Sequence, residues 1–218
     1  MQLGVLGSGM VGQAISARLA ELGHKVMIGT RDPHKLSEWS ASNQNVEIGS
    51  FAETAAHGEM LFNATNGAGS LMALEMAGAE QLSGKILVDI SNPLDFSKGF
   101  PPSLIVSNTD SLAEQIQRLH PNTKVVKTLN TVTARLMVYP REVADGDHQI
   151  FVSGNDAEAK SQVAELLKSF GWIHILDLGD ITSARAAEMY LPLWVRMYGA
   201  LNSGMFNVKI VKSKKSLR

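Results

Sequence analysis

The sequence predicts an α/β fold: a doubly wound parallel sheet with a small C-terminal α/β extension that ends in helices. Short and nearly continuous apolar runs, typical of strands covered on both faces, alternate with amphipathic segments of helical period. Such alternation favours parallel strands joined by right-handed crossovers. The expected strands are Gln2–Leu6, Lys25–Gly29, Val46–Ile48, Met60–Ala64, Lys85–Ile90, Lys124–Leu129, His148–Ser153 and Trp172–Leu176.

Capping residues mark several helix starts between these strands. Ser50 with Glu53, and Ser111 with Glu114, match the capping box, in which the two side chains satisfy free backbone amides. The dipeptide Asp32-Pro33 indicates an N-cap followed by proline at the first helical position. The predicted strands are therefore separated by helices with defined starts.

Two long loops interrupt the alternation, at Ser91–Asn108 and Met137–Asp147. We expect residues 1–145 to form the first domain and residues 146–218 to form a small α/β extension packed on it. The extension closes with an apolar helical region, Thr182–Gly204, which Pro192 should kink or divide. Its apolar stripe favours core or homodimer packing, with contact to a planar ring as the alternative.

Composition excludes several classes of function. The 218 residues include 20 Lys and Arg against 21 Asp and Glu, a balance that argues against a nucleic-acid or anionic-membrane binder. Cysteine is absent, which excludes disulfides, thiolate metal sites and cysteine nucleophiles. No apolar run approaches the roughly 18 residues of a membrane helix, and the first residues indicate a strand rather than a secretory signal. We expect a cytoplasmic protein, without a metal site or a catalytic acid–base group.

A glycine-rich turn directly follows the first strand. Gly7-Ser8-Gly9-Met10-Val11-Gly12 opens an amphipathic helix, the context that a dinucleotide-binding Rossmann fingerprint requires. Gly7 permits the tight turn, Gly9 lets the backbone approach a pyrophosphate, and Gly12 lets helix and strand pack closely. The first domain is therefore predicted to be a dinucleotide-binding Rossmann domain.

The end of the second strand favours NADP(H) over NAD(H). Thr30 stands where an NAD-binding chain carries an acid, and its hydroxyl can donate to a 2′-phosphate that a carboxylate would repel. Arg31 can bind the phosphate through its planar guanidinium, and Lys35 can turn toward the same anion. Asp32 is the competing candidate for a ribose contact, although Pro33 favours a capping role.

Small polar residues follow three later strands: Thr65 and Asn66, then Asn92, then Asn130 with Ala134 close behind. Ligands of doubly wound sheets lie beyond the carboxyl ends of the strands, so these residues are candidates for positioning a nicotinamide and a second planar ring. Alternatively, the asparagines only cap turns and helix starts.

These motifs resemble the F420-dependent NADP oxidoreductases over nearly the whole chain, and they are also similar to the cytoplasmic domain of the six-transmembrane metalloreductases. The resemblance rests on Gly7–Gly12, Gly29-Thr30-Arg31 with Lys35, Lys85–Pro93, Val125–Ala134, Val152–Asp156, Ser183–Arg185 and Leu191–Ile210. It implies pyrophosphate contacts at Ser8–Val11, 2′-phosphate contacts at Thr30, Arg31 and Lys35, and nicotinamide-side contacts near Thr65, Asn66, Asn92 and Ala134.

The resemblance implies direct hydride transfer between NADP(H) and a deazaflavin, coenzyme F420, with no protein acid or base. The loop at Thr65-Asn66-Gly67 and the amide of Asn130 depart from the archaeal pattern. Two alternatives therefore stay open: an NADPH-dependent flavin or ferric reductase-like enzyme, and a non-catalytic NADPH-sensing module.

Overall fold

Eight strands form one sheet in the computed structural model, which describes residues 1–213. The sheet strands are β1 (Gln2–Leu6), β2 (Lys25–Gly29), β3 (Val46–Gly49), β4 (Met60–Asn63), β5 (Ile86–Asp89), β8 (Lys124–Thr128), β9 (Gln149–Ser153) and β10 (His174–Asp177). Their order across the sheet is β10-β9-β8-β5-β4-β1-β2-β3. A two-stranded hairpin, β6 (Leu94–Asp95) and β7 (Ser103–Leu104), lies within the first of the predicted long loops.

The predicted doubly wound fold is confirmed, with one correction to its all-parallel sheet. Every described neighbour pair in the large sheet is parallel except β8 and β9, which pair antiparallel through a short register. The helix between these strands spans only Ala134–Val138, too short to return the chain to the amino end of β8. The last strand also starts later than predicted, because Trp172 is buried and donates its Nε1–H to the Met137 carbonyl at 3.0 Å.

Ten α-helices occur in the described chain, with 3₁₀ turns at several junctions. They are α1 (Met10–Glu21), α2 (Ser37–Ala41), α3 (Phe51–His57), α4 (Ser70–Ala77), α5 (Ala79–Leu82), α6 (Leu112–Leu119), α7 (Ala134–Val138), α8 (Ala157–Phe170), α9 (Ala184–Met189) and α10 (Leu191–Leu201). None of those within residues 1–213 has the length and hydrophobicity that a bilayer crossing needs.

The capping predictions hold with one modification. Ser50 and Glu53 form the full capping box at the start of α3. At α6, Ser111 accepts from the Glu114 amide as predicted, but the Glu114 carboxylate pairs with Arg185 of α9 at 2.5 Å. The sequence identified the serine cap but not this distant ion-pair partner.

Two apolar layers cover the faces of the sheet. Val5 of β1 packs in a cluster that includes Ile15 of α1, whereas its neighbour Leu6 joins a second cluster that includes Leu74 of α4. Successive side chains of a strand point to opposite faces, so one continuous apolar strand supplies both layers. This double burial explains why the early strands read as unbroken apolar runs.

The chain divides its C-terminal helical region where predicted. A 3₁₀ turn at Ile181–Ser183 precedes α9, and α10 follows with Pro192 in its first turn. Asn202 ends α10 in the left-handed conformation, and the following segment carries no regular secondary structure as far as residue 213. Its Val208 carbonyl accepts from the Gln149 amide at 3.0 Å, so the segment lies beside the start of β9.

Candidate functional site

The turn between β1 and α1 has the geometry that its three glycines predict. Gly7 has a φ of +114°, and a Cβ atom there would lie 2.6 Å from the Ala64 carbonyl oxygen. A Cβ on Gly12 would lie 1.8 Å from the Gly7 carbonyl oxygen, whereas one on Gly9 would meet nothing within 4 Å. Gly7 and Gly12 are therefore required by the packing of the turn, whereas the fold itself does not require glycine at position 9.

A cleft of about 290 Å³ opens beside this turn. It brings together predicted residues from three strand ends, namely Gly7, Ser8, Gly9, Thr30, Arg31, Lys35, Thr65 and Asn66. Met10, Val11 and Gly12 lie next to the cleft in the first turn of α1, with Met10 exposed and Gly12 buried. The sequence spacing thus placed these groups correctly at one edge of the sheet.

Hydrogen bonds fix the polar floor of the cleft at the end of β2. The hydroxyls of Ser8 and Thr30 lie 2.9 Å apart, and the Asp32 amide donates to the Thr30 hydroxyl at 3.1 Å. The Asp32 carboxylate accepts from the His34 amide at 3.1 Å and caps the 3₁₀ turn Pro33–Leu36. This geometry agrees with the capping interpretation of Asp32.

Arg31 and Lys35 supply the positive charge of the cleft. Both side chains are exposed, and within residues 1–213 neither one has an ion-pair partner. Arginine and lysine bind phosphate oxygens through charge-assisted hydrogen bonds. The two cations can therefore bind an anionic group of a ligand without first breaking an ion pair in the described chain.

The rest of the cleft lining is largely apolar. It consists of Phe51, Gly69, Met72, Ala73 and Met76. Met72 and Met76 project from α4 and are exposed, although they are large apolar side chains. The sequence analysis missed this part of the lining because a methionine in an apolar helical segment is typical of core packing, and only the tertiary fold brings Met72 and Met76 to the same cleft as Arg31.

Asn92, Asn130 and Ala134 lie outside this cleft, farther along the same edge of the sheet. Asn92 donates to the Asn130 carbonyl at 3.0 Å, and Asn130 donates to the Asn92 side-chain oxygen at 3.0 Å and to the Ala187 carbonyl at 3.0 Å. Ala134 is buried at the start of α7. The paired amides join the loops after β5 and β8 to α9, and Asn66 caps its own turn by accepting from the Ala68 amide at 3.1 Å.

A buried ionic cluster, formed by Asp89, Lys127 and Glu188, lies beneath this edge. The Lys127 ammonium contacts Asp89 Oδ2 at 2.8 Å and Glu188 Oε1 at 2.9 Å, and all three side chains are almost completely buried. Burial lowers the pKa of Lys127, but the attraction of the two carboxylates outweighs burial and raises that pKa above its ordinary value. The sequence analysis did not single out these residues. A lysine inside the apolar run Val125–Thr128 was the available signal.

The fold, the glycine turn and the cationic cleft define a dinucleotide-binding protein of the Rossmann class. Residues 2–93 match the family of NADP oxidoreductases that are coenzyme F420-dependent. A solved structure from Arthrobacter sp. FB24, described as a candidate F420-dependent NADP reductase, is 56% identical, with a TM-score of 0.95 and coverage of 97% of this chain and 100% of that one. The chain therefore belongs to the F420-dependent NADP oxidoreductase family.

Two curated relatives add detail. The F420-dependent NADP reductase of Methanocaldococcus jannaschii is 28% identical over 207 residues, which is 89% of this chain and 91% of that protein. The metalloreductase STEAP3 of Rattus norvegicus is 34% identical over 201 residues, which is 88% of this chain. The chain spans only 38% of the length of that metalloreductase.

Proposed function

We propose that the protein is an NADP-dependent oxidoreductase that transfers hydride between NADP(H) and the deazaflavin coenzyme F420. The observation that carries the proposal is the pair of cations Arg31 and Lys35, which have no ion-pair partner among residues 1–213, beside the Thr30 hydroxyl in the cleft of the glycine turn. This arrangement suits the 2′-phosphate that distinguishes NADP(H) from NAD(H). The names of the Arthrobacter and Methanocaldococcus relatives support F420 as the second substrate.

The chain's residues fit a dinucleotide laid along the carboxyl edge of the sheet. The backbone amides of Ser8–Val11 lie at the start of the twelve-residue helix α1, where helix amides have no partner within the helix. These amides would hold the pyrophosphate. Met72 and Met76 would cover the adenine, opposite Arg31. β5 and β8 lie two and three places from β1, about 10–15 Å along the edge, so Asn92, Asn130 and Ala134 would lie on the nicotinamide side.

The proposed hydride transfer does not depend on an acid or a base from the protein. A nicotinamide and a deazaflavin together supply the hydride donor and acceptor. The chain's part is to orient the two rings and to exclude water, and the hydrogen-bonded Asn92–Asn130 pair on the nicotinamide side is suited to orient them. No metal site enters the proposal, and within residues 1–213 no group of three or more His, Asp or Glu side chains could hold a metal ion.

Replacing Arg31 by alanine tests the cofactor assignment. We expect NADPH binding to weaken about 10- to 100-fold, since one to two charge-assisted hydrogen bonds to the 2′-phosphate are lost. NADH binding should stay nearly unchanged, because NADH lacks that phosphate. Titration calorimetry on both cofactors measures the difference, and Arg141→Ala, which removes an exposed arginine outside the cleft, is the matched control. Equal losses for NADPH and NADH would contradict the assignment.

A second candidate is an NADPH-dependent flavin or ferric reductase-like enzyme, and its reductase part is supported by the name of the STEAP3 metalloreductase, which is 34% identical over 88% of this chain. Stopped-flow oxidation of NADPH with coenzyme F420, with FMN or with no acceptor separates the possibilities. We expect turnover with F420. Turnover with FMN alone would indicate the flavin or ferric reductase-like enzyme, and tight NADPH binding without any turnover would indicate a sensing module.

We also infer the domain organisation, the oligomeric state and the cellular location of this enzyme. Residues 1–145 are proposed as the dinucleotide-binding domain, with residues 146–218, of which 214–218 lie outside the described residues, as the C-terminal extension. A homodimer through the C-terminal helices is supported by Leu193, Tyr198 and Leu201, apolar side chains that α10 leaves exposed. A cytoplasmic location is consistent with small, soluble redox cofactors as the partners of the site.

A further inference from the structure

The buried ionic cluster of Asp89, Lys127 and Glu188 holds two carboxylates against one ammonium. The Lys127 ammonium contacts Asp89 Oδ2 at 2.8 Å and Glu188 Oε1 at 2.9 Å, and none of the three side chains is more than 2% exposed. Water and salt screen an ion pair at the surface, but they screen charges inside a protein much less. Any charge that the cluster leaves unbalanced therefore acts on groups beyond the cluster.

The hydrogen bonds of the cluster indicate that both carboxylates are ionised. Asp89 Oδ1 accepts from Asn63 Nδ2 at 2.8 Å, and from the amide and the hydroxyl of Ser91 at 3.2 and 2.7 Å. Glu188 accepts from the first two backbone amides of α6 at 2.8 and 3.1 Å. A protonated carboxyl needs an acceptor for its hydrogen, and ammonium and amide N–H groups cannot accept one. With two negative charges and one positive charge, the cluster carries a net charge of −1.

Only part of this net charge is neutralised by neighbouring groups. The N-terminus of α6 carries a partial positive charge equivalent to about half a unit, and its amides donate to Glu188. Two other acids near the start of α6 have cations of their own. Glu114 pairs with Arg185 at 2.5 Å, and Asp110 pairs with Arg118 at 2.8 Å. The cluster therefore leaves about half a negative charge uncompensated beneath the carboxyl edge of the sheet.

Two hydrogen bonds join the cluster to the loops that we place on the nicotinamide side. Lys127 donates at 2.5 Å to the carbonyl of the residue before Asn92. Asn130 donates at 3.0 Å to the carbonyl of the residue before Glu188. Asp89 is three residues before Asn92, so about 10 Å of chain separates the cluster from a ring held beside Asn92. The uncompensated charge thus lies beneath the end of the site that would bind the nicotinamide.

We propose that the cluster selects the oxidation state of the bound cofactor, favouring NADP⁺ over NADPH through its net negative charge. The nicotinamide ring of NADP⁺ carries one positive charge, which the ring loses when it accepts a hydride and becomes NADPH. The two cofactors are otherwise alike, so a negative charge beneath the ring stabilises the oxidised one. This inference rests on the proposed function, since it takes NADP(H) as the ligand of the cleft. Asp89 and Glu188 act on the ring through their charge.

Glu188→Gln tests the inference, because it removes one negative charge at nearly constant shape. Titration calorimetry on the full chain with NADP⁺ and with NADPH gives the ratio of their dissociation constants. We expect Kd for NADP⁺ to rise about 3- to 15-fold relative to Kd for NADPH, since one unit of charge about 10 Å from the ring is lost. A partly unfolded variant binds both cofactors more weakly by the same factor, so a purely structural defect does not move the ratio.

Asp156→Asn is the matched control. Asp156 pairs with Lys124 at 3.1 Å, and Lys124 begins β8, the strand that carries Lys127 near its other end. The substitution therefore removes one negative charge at the opposite edge of the sheet, and asparagine is as good an N-cap for α8 as aspartate. We expect the ratio of the two dissociation constants to stay at its wild-type value.

A triple variant decides the test if Glu188→Gln does not fold. Asp89→Asn, Lys127→Met and Glu188→Gln together remove all three charges, so no buried charge is left uncompensated. The net charge again becomes zero, and the ratio should rise by a similar factor. An unchanged or lower ratio in the folded variant, or an equal rise in Asp156→Asn, would overturn the inference while NADP(H) binding stands. A wild-type chain that binds neither cofactor would instead refute the proposed function.

Discussion

Replacing Lys127 by methionine is expected to lower the free energy of unfolding by about 3–5 kcal/mol. The ammonium lies between Asp89 and Glu188 and also donates to the Ser91 carbonyl at 2.5 Å. Methionine fills a similar volume but leaves two buried carboxylates without their counter-charge. Breaking such a cluster by removing one partner leaves uncompensated charge in the interior, which is far more destabilising than losing a surface ion pair.

The same strand offers a matched control for this prediction. Lys124 also belongs to β8, but its side chain is 39% exposed and pairs with Asp156 at the surface at 3.1 Å. Lys124→Met should therefore cost only about 0–1 kcal/mol. Urea unfolding followed by circular dichroism measures both variants under identical conditions. Similar losses for Lys124→Met and Lys127→Met would show that burial of the cluster does not determine its contribution.

The features that the sequence predicted correctly all depend on local signals. The glycine turn is specified within six residues, and β2 has the bounds Lys25–Gly29 that its own residues predict. Ser50 with Glu53 specifies a capping box through neighbours three residues apart. Each of these signals acts over one turn or one strand, so no knowledge of the tertiary fold is needed to interpret it.

The features that escaped prediction depend on residues far apart in the chain. Lys127 and Glu188 are 61 positions apart in the sequence, and no signal near either residue identifies the other as its partner. The antiparallel pairing of β9 with β8 follows from the short length of α7 (Ala134–Val138), which lies outside β9. The amides of Asn92 and Asn130 can hydrogen-bond either to a ligand or to another part of the chain, and the sequence does not decide between the two. The 3.0 Å hydrogen bond between their side chains shows that they have a structural role.

Alanine at Gly9 and alanine at Gly12 should differ in how much they lower stability, and both should weaken cofactor binding. At Gly12 the new Cβ would lie 1.8 Å from the Gly7 carbonyl oxygen, so α1 must move away from β1. Overpacking of this kind costs about 1–3 kcal/mol or more, and displacement of α1 also deforms the turn that would hold the pyrophosphate. We expect Gly12→Ala to lower both the melting temperature and NADP⁺ affinity.

At Gly9 the backbone is already extended, with φ −76°, and a Cβ meets nothing within 4 Å. Gly9→Ala should therefore cost about 1 kcal/mol or less, chiefly because alanine is a poorer N-cap than glycine. The methyl group would nevertheless stand where the backbone must approach the pyrophosphate, and loss of one to two amide–phosphate bonds corresponds to about 10- to 100-fold weaker NADP⁺ binding. Calorimetric titration together with thermal unfolding separates the two variants. Undiminished NADP⁺ affinity in Gly9→Ala would mean that no ligand phosphate approaches this turn, because the chain itself leaves the space beside Gly9 open.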